Sequence, residues 1–385
     1  MNILFQYFTG GGGALSNIIL LLKAIAKQYP DDFIDIVCSK SSDLHVLEPE
    51  KNINVITYGG KRHQEVDRAF LGFGGLVNIA NQTKADIIWS LNLGSYVSSK
   101  IPQVLSVNNP HQVYPWEVTR YHPDSRINVA ALRWFFRKTL SVSDGVIVQT
   151  PIMGEFIRKI YKTPLDIAVV PKAVENSDDV NSDPLPQNVQ EKINSGFGKK
   201  AFTFLYVSTY VPHKNHDTLV KAFNILAAES ACVRLLLTIT HEELVSIAGE
   251  KAIKLVESGH IIPLGWVSKS HLRSLYDISD ACLMPSVLES LSSAHLEAMQ
   301  WSKPQIVADF SYSRDLCGSA AVYVSAEDPK EWVKNIKSFV NDPELRRFLV
   351  KKGLERMSLF PETWAVAANK VHIYLEKIVT NNISK

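Results

Sequence analysis

Ala281-Cys-Leu-Met-Pro285-Ser-Val-Leu-Glu289-Ser-Leu-Ser-Ser-Ala-His-Leu-Glu297-Ala-Met-Gln300 is the stretch on which the reading of this sequence turns. An apolar strand, Ala281 to Pro285, passes through a loop into a helix, and Glu289 and Glu297 follow it eight positions apart. A loop that feeds a helix presents backbone N–H groups with no intrahelical acceptor, and those donors, with the helix dipole, suit anionic oxygens. Ser290, Leu291, Ser292 and Ser293 are therefore the candidates to cradle phosphate. The two carboxylates accept hydrogen bonds, so they suit hydroxyl-rich partners such as ribose or a hexose. The alternative is a solvated helix end that happens to carry two glutamates.

Outward from this unit, short apolar runs alternate with helical stretches along the whole chain, the signature of βαβ units feeding a parallel sheet. Strands are expected at 2–7, 33–38, 53–57, 87–90, 104–107, 145–149 and 167–170, then at 202–208, 233–238, 261–264, 281–285, 305–308 and 321–324. Between the two sets, Glu175 to Gln187 clusters polar turn formers and two prolines with no hydrophobic period, and reads as a linker. The expected organisation is a Rossmann-like domain at 1–175, a linker at 176–199, a second Rossmann-like domain at 200–355, and a closing helix within 356–385. Ligands belong at the carboxyl ends of the strands, in the cleft between two doubly wound sheets.

At 385 residues, two cores are natural. The 41 basic and 39 acidic residues are mixed throughout, giving no field to steer nucleic acid onto the surface. Cys38, Cys232, Cys282 and Cys317 match no zinc spacing and read as buried, reduced thiols. The N-terminal residues lack the pattern of a signal peptide, so a cytoplasmic location is expected. No run reaches the roughly 18 apolar residues of a membrane span, so any membrane contact would be peripheral. The helix around Trp134, Val129 to Lys138, mixes aromatics with bases. It reads either as core packing with snorkelling cations or as a surface that touches a membrane carrying a lipid-linked acceptor.

The paired-glutamate stretch resembles glycosyltransferase family 4, whose hallmark is two glutamates separated by seven residues at this point of the second domain. The resemblance implies a GT-B fold, a nucleotide-diphosphate sugar as donor substrate, no cofactor, and retention of configuration at the anomeric carbon. It implies that Glu289 lies by the donor sugar, that Glu297 holds the ribose hydroxyls, and that the amides between them meet the diphosphate. Tyr206-Val-Ser-Thr-Tyr-Val-Pro-His-Lys214-Asn215 is similar to the family's strand and loop before the helix that opens the second domain, which assigns Lys214 to the diphosphate. Where the family usually carries an arginine, this chain has Thr209 and Tyr210. Pro263-Leu-Gly265-Trp-Val267 and Leu275 to Ala281 are similar to the segments that frame the nucleotide base. Gly265 would permit close backbone approach or simply make a turn. Arg314-Asp315 resembles a supporting acid before a glycine.

The first domain is less explicit. Gly10 to Gly13 follow the opening strand, and Gly12 and Gly13 are placed against donor phosphate or, alternatively, serve domain closure sterically. The loop does not fit the dinucleotide pattern G-x-G-x-x-G. After the strand at 104–107, Asn108 and His111 occupy the region where the family shows a histidine by the donor sugar, and a turn made by Asn109-Pro110 is the other reading. His295 reads as packing around the glutamates.

No nucleophile is expected, and no Asp-x-Asp pair stands at a strand end to hold a metal. The resulting expectation is a retaining, metal-independent hexosyltransferase that uses a UDP- or GDP-linked sugar and a glycan or lipid-linked acceptor, in surface polysaccharide assembly. Two other classes are carried beside it: a non-catalytic nucleotide-sugar binding protein, and a nicotinamide oxidoreductase suggested by the parallel sheet and the glycine loop.

Overall fold

The computed structural model describes residues 1–8, 13–39, 50–59, 64–119, 126–174, 183–194 and 201–383. All thirteen strands expected from the sequence form. The chain divides into two units: Met1–Arg120, Asp124–Ala173 and Pro361–Lys385 make the first, and Tyr121–Pro123 with Val174–Phe360 the second.

The first unit holds β1 (Asn2–Tyr7), β2 (Phe33–Ser39), β3 (Ile53–Tyr58), β4 (Ile87–Leu91), β5 (Gln103–Val107), β6 (Gly145–Val148) and β7 (Asp166–Val169). Their order is β3-β2-β1-β4-β5-β6-β7, and every pairing is parallel. The second holds β8 (Phe202–Tyr206), β9 (Val233–Leu237), β10 (Ile261–Pro263), β11 (Ala281–Met284), β12 (Gln305–Ala308) and β13 (Ala321–Val324). Here the order is β10-β9-β8-β11-β12-β13, again all parallel. Every residue of β4, β6, β9, β10, β11 and β12 is buried. That is why these strands read as continuous apolar runs and not as alternations: helices cover both faces of a parallel sheet.

In each unit the winding reverses once, between β1 and β4 and between β8 and β11. Right-handed crossovers on either side of such a reversal carry their helices to opposite faces. In open parallel sheets such a reversal point is where ligands bind, at the carboxyl ends of the strands. In the second unit Phe204 of β8 lies opposite Ala281 of β11, so the loops after Tyr206 and Met284 start side by side.

Strand ends depart from the apolar pattern for local reasons. β8 stops at Tyr206 and not Ser208 because Ser208 leaves the ladder: its N–H donates to Thr238 Oγ1 at 2.9 Å, and that hydroxyl donates back to the Ser208 carbonyl at 2.9 Å. β11 stops before Pro285, which has no N–H to donate. Helix starts follow capping chemistry. Asp328 and Asp342 each accept backbone N–H bonds at the head of a helix whose first residue is proline. Thr240 and Glu243 close a reciprocal capping box.

Residues Gln187–Asn194, within the expected linker, form a helix of the second unit. Its Ile193 carbonyl accepts a 2.7 Å bond from the buried Arg234 guanidinium. The final helix, Trp364–Ile383, groups with the first unit. Its Ala368, Val371, Leu375 and Ile378 share one core with Ile3, Phe5, Leu22 and Trp89. The Tyr374 hydroxyl donates to the Asp166 carbonyl at 2.7 Å and accepts from the Val146 N–H at 3.1 Å, which pins the helix across β6 and β7.

One expectation about the thiols fails. Cys38, Cys282 and Cys317 are buried, but Cys232 is exposed. It sits in the turn just before β9, where its carbonyl accepts the Phe202 N–H at 3.1 Å while burial begins only at Val233.

The fit of the last helix is testable. A Cβ at Gly145 would lie 2.4 Å from the Tyr374 hydroxyl and 3.0 Å from Ile378 Cδ1. Gly145→Val should therefore displace the helix and destabilise the first unit by about 2–4 kcal/mol. Tyr374→Phe should cost about 1–2 kcal/mol by leaving the buried Val146 N–H without its acceptor. Urea unfolding of both variants measures this.

Candidate active site

The loop after β8 becomes a 3-10 turn, Pro212–Lys214, with proline at its first position. Asn215 follows in the left-handed region at φ 55°, and the helix His216–Ala228 begins directly after it. Asparagine tolerates that backbone better than other side-chain-bearing residues. It also uses its amide: Nδ2 donates to the Pro285 carbonyl at 3.2 Å and to the Ala326 carbonyl at 2.9 Å, and Oδ1 accepts from Thr218 at 2.9 Å. One side chain thus joins the loops that follow β8, β11 and β13.

Two further ties hold the first two loops together. The Val287 N–H donates to the His213 carbonyl at 2.8 Å. The buried Tyr206 hydroxyl donates to the Lys214 carbonyl at 2.9 Å and shares a 2.8 Å hydrogen bond with Ser286 Oγ. The Tyr312 hydroxyl donates to the Ser286 carbonyl.

This bracing brings Lys214 and Glu289, 75 residues apart in sequence, into direct ion-pair contact through Nζ and Oε1. Their side chains are only 18% and 12% exposed. Burial alone would raise the Glu289 carboxyl. The Lys214 ammonium outweighs it by charge and hydrogen bond, with His295 and His213 adding to the effect, and holds Glu289 below the usual glutamate range. The glutamate is an anion at neutral pH beside a cation that it largely screens from solvent.

Glu297 lies at the start of the second turn of the helix Ser293–Gln300 and is partly exposed. The Tyr276 hydroxyl donates to its Oε2 at 3.1 Å. Burial, followed by the Glu297 charge, pushes the Tyr276 phenol well above its ordinary value, so it stays a donor. Ser292 stands at the N-cap with extended backbone and no side-chain cap bond, and its residue is buried. Leu291 turns into the core, Ser290 is partly exposed and Ser293 is exposed. The turn of Ser290 to Ser293 therefore presents polar groups to one side while Leu291 anchors it. His295 is fully buried, with its ring edge-on to Tyr312 at 6.1 Å.

His216, first residue of its helix, meets Ser208 Oγ through Nε2 at 2.8 Å. Burial, then the Lys214 charge, lowers its pKa to about 3, so the ring is neutral. Beneath Lys214 there is accordingly no second positive charge from this residue. Thr209 and Tyr210 are exposed, and the Tyr210 hydroxyl accepts from Ser246 at 3.1 Å.

Gly265 has φ +83°, and a Cβ there would meet nothing within 4 Å. The backbone conformation, with Gly265 N–H donating to the Ile239 carbonyl at 2.9 Å, is the local reason for glycine. Arg314 pairs with Asp309, and the Asp315 carbonyl accepts from the Arg356 guanidinium.

In the first unit, Gly12 lies outside the described residues and Gly13 opens the helix Gly13–Gln28. Asn109 caps the short helix Pro110–Val113 by accepting the His111 N–H at 3.0 Å, which is the turn chemistry of Asn-Pro. The Asn108 N–H donates to Asn92 Oδ1 at 2.9 Å, leaving the Asn108 side chain partly exposed, while His111 is buried. Asn92, at φ 63° after β4, also receives the Asn109 N–H at 3.0 Å. It fixes this loop, and nothing in its sequence context marks it except a polar residue ending an apolar strand. Asn215 and Tyr206 likewise flank Lys214 in sequence with no mark of their role, and their hydrogen bonds make them its support. Among the described residues, no group of three or more His, Cys, Asp or Glu is arranged to hold a metal ion, and no helix is long and apolar enough to cross a membrane.

Residues 188–356, covering the second unit's sheet and the Lys214–Glu289 pair, match the family model of glycosyl transferases group 1. The O-antigen chain mannosyltransferase RfbU of Salmonella typhimurium strain LT2 is 24% identical over 259 residues, which span 66% of this chain and 67% of RfbU. Sucrose-phosphate synthase from Thermosynechococcus elongatus has the same fold, with a TM-score of 0.73 at 16% identity over 99% of both chains. Anabaena HepE, solved with UDP and glucose, gives 0.70 at 15% identity over 98% of this chain and 100% of that one. Together with the two parallel-sheet units, these findings support a glycosyltransferase of the GT-B class. The family match falls on the unit that carries the ion pair.

Two outcomes test the bracing. Asn215→Gly keeps the left-handed backbone but loses the three bonds, and should cost about 1–2 kcal/mol; Asn215→Ala adds backbone strain and should cost about 1 kcal/mol more. For His216, the depressed folded pKa means that the unfolded chain binds the proton first. Stability should fall as pH drops from about 6.5 toward about 3. His216→Asn should flatten that part of a melting-temperature profile, and an unchanged slope would contradict the assignment.

Proposed function

We propose that this chain is a retaining, metal-independent glycosyltransferase that moves a hexose from a UDP- or GDP-linked donor to a glycan or lipid-linked acceptor in polysaccharide assembly. The observation that carries the reading is the Lys214–Glu289 pair, held at the carboxyl ends of adjacent strands at the point where the sheet reverses. The group 1 match over residues 188–356 and the mannosyltransferase relative support the reaction class.

In this reading the donor's diphosphate lies against Lys214 and the backbone amides of Ser290 to Ser293. An ammonium there stabilises the charge that builds on the leaving phosphate as the C1–O bond breaks. Glu297 accepts the ribose hydroxyls, with Tyr276 fixing its orientation. Glu289, kept ionised, faces the positive charge that develops on the sugar. No side chain is assigned as nucleophile. The acceptor hydroxyl enters on the face from which the diphosphate leaves, its oxygen bonds to C1, and its proton passes to a phosphate oxygen of the departing group, so configuration is retained. Gly265 would let the backbone approach the base, and Thr209 would border the phosphates. No cofactor takes part.

The test has two arms. A panel of UDP-, GDP- and ADP-sugars should contain one that raises the melting temperature of the protein. With that donor, Glu289→Gln and Lys214→Met should each lower transfer by about 100-fold or more while the variants remain folded. Donor binding with no turnover against any acceptor would identify a nucleotide-sugar binding protein instead. Full activity in Glu289→Gln would refute the assignment of that residue.

A further inference from the structure

We infer that donor binding at the site proposed above takes up a proton, and that His213 receives it and becomes the second cation beside the diphosphate; this rests on the donor reading of that site. The diphosphate of a nucleotide sugar brings two negative charges. The Lys214 ammonium meets them, but its charge is already matched by Glu289. Thr209 and Tyr210 add none. Burial, then the Lys214 charge, keeps His216 neutral. A dianion set against a poorly exposed pair of zero net charge lacks compensation unless a further positive charge forms there.

His213 stands where that charge is needed. It is the middle residue of the turn Pro212–Lys214, directly before the lysine. Its carbonyl accepts the Val287 N–H at 2.8 Å, which fixes its backbone against the loop that carries Glu289 two residues further on. Together with Lys214 and His295, its charge favours the Glu289 anion. The residue is half-buried, so solvent can supply the proton. The other titratable groups around the turn suit the role less well. Glu289, despite its burial, is held anionic by the Lys214 ammonium on the turn itself. Burial keeps the Tyr206 phenol of β8 protonated. His295 is fully buried in the first turn of the helix Ser293–Gln300, where the positive end of the helix dipole opposes a cation. As the diphosphate draws on Lys214, an imidazolium at His213 offsets the second phosphate charge and the carboxylate that Lys214 no longer fully balances. The step moves one proton from solvent to a ring nitrogen, and no bond of the donor changes.

The experiment is calorimetric titration of the full chain with a panel of UDP-, GDP- and ADP-linked hexoses, in PIPES and in Tris, at a pH about one unit above the ordinary imidazole value. The difference in heat between the buffers counts the protons taken up. These donors are esterified at both ends of the diphosphate and do not titrate in this range, so the proton belongs to the protein. Wild-type protein should take up about half a proton or more per donor bound, and its affinity should fall about tenfold as pH rises from about 6.5 to about 8.5. His213→Gln should bind more weakly, with no uptake and a flat pH profile. His213→Arg, a fixed cation, should restore the affinity, again with no uptake. Wild-type binding without proton uptake, or uptake that persists in His213→Gln, overturns the inference and leaves the donor site standing. If no donor of the panel binds, the donor site fails and the role of His213 falls with it.

Discussion

The contact on which the second unit depends is the ion pair between Lys214 and Glu289. An ammonium and a carboxylate this poorly exposed are each costly to desolvate alone, and the pair persists because their geometry and surrounding hydrogen bonds offset that cost. The side chains that do this are Asn215, Tyr206 and Ser286, which fasten the loop after β8 to the loop after β11. In the proposed reaction the same charges have a second use. A diphosphate arriving at Lys214 offers the ammonium another anionic partner, and Glu289 is then released to face a sugar that becomes cationic.

Topology makes this possible without long reach. Because the sheet reverses between β8 and β11, two loops that are far apart in sequence start from neighbouring strands, close enough for hydrogen bonds to join them. The first unit repeats the device between β1 and β4, where Asn92 leaves β4 and braces the loop after β5.

Much of this was legible in the chain itself. Strands buried on both faces announce themselves as apolar runs, so all thirteen could be placed to within two residues at their ends. The Glu289 stretch stood out because a strand, a polar loop and a helix follow one another at short range. What the sequence did not reveal is side-chain bracing over long separations. Asn215 looks like a turn former, yet its amide spans to Pro285 and Ala326, and no periodicity encodes such contacts. The exposed thiol of Cys232 was misread for the complementary reason: an apolar neighbourhood in sequence says nothing about which side of a turn faces water. The docking of the last helix against β6 and β7 by Tyr374 is likewise a tertiary fact.

A crystal structure of the chain with the nucleoside diphosphate of its donor tests these roles most directly. A phosphate oxygen should lie within about 3 Å of Lys214 Nζ and of the amides at Ser292 and Ser293, with the nucleotide's ribose on Glu297. A nucleotide bound elsewhere, with the Lys214–Glu289 pair untouched, would contradict them.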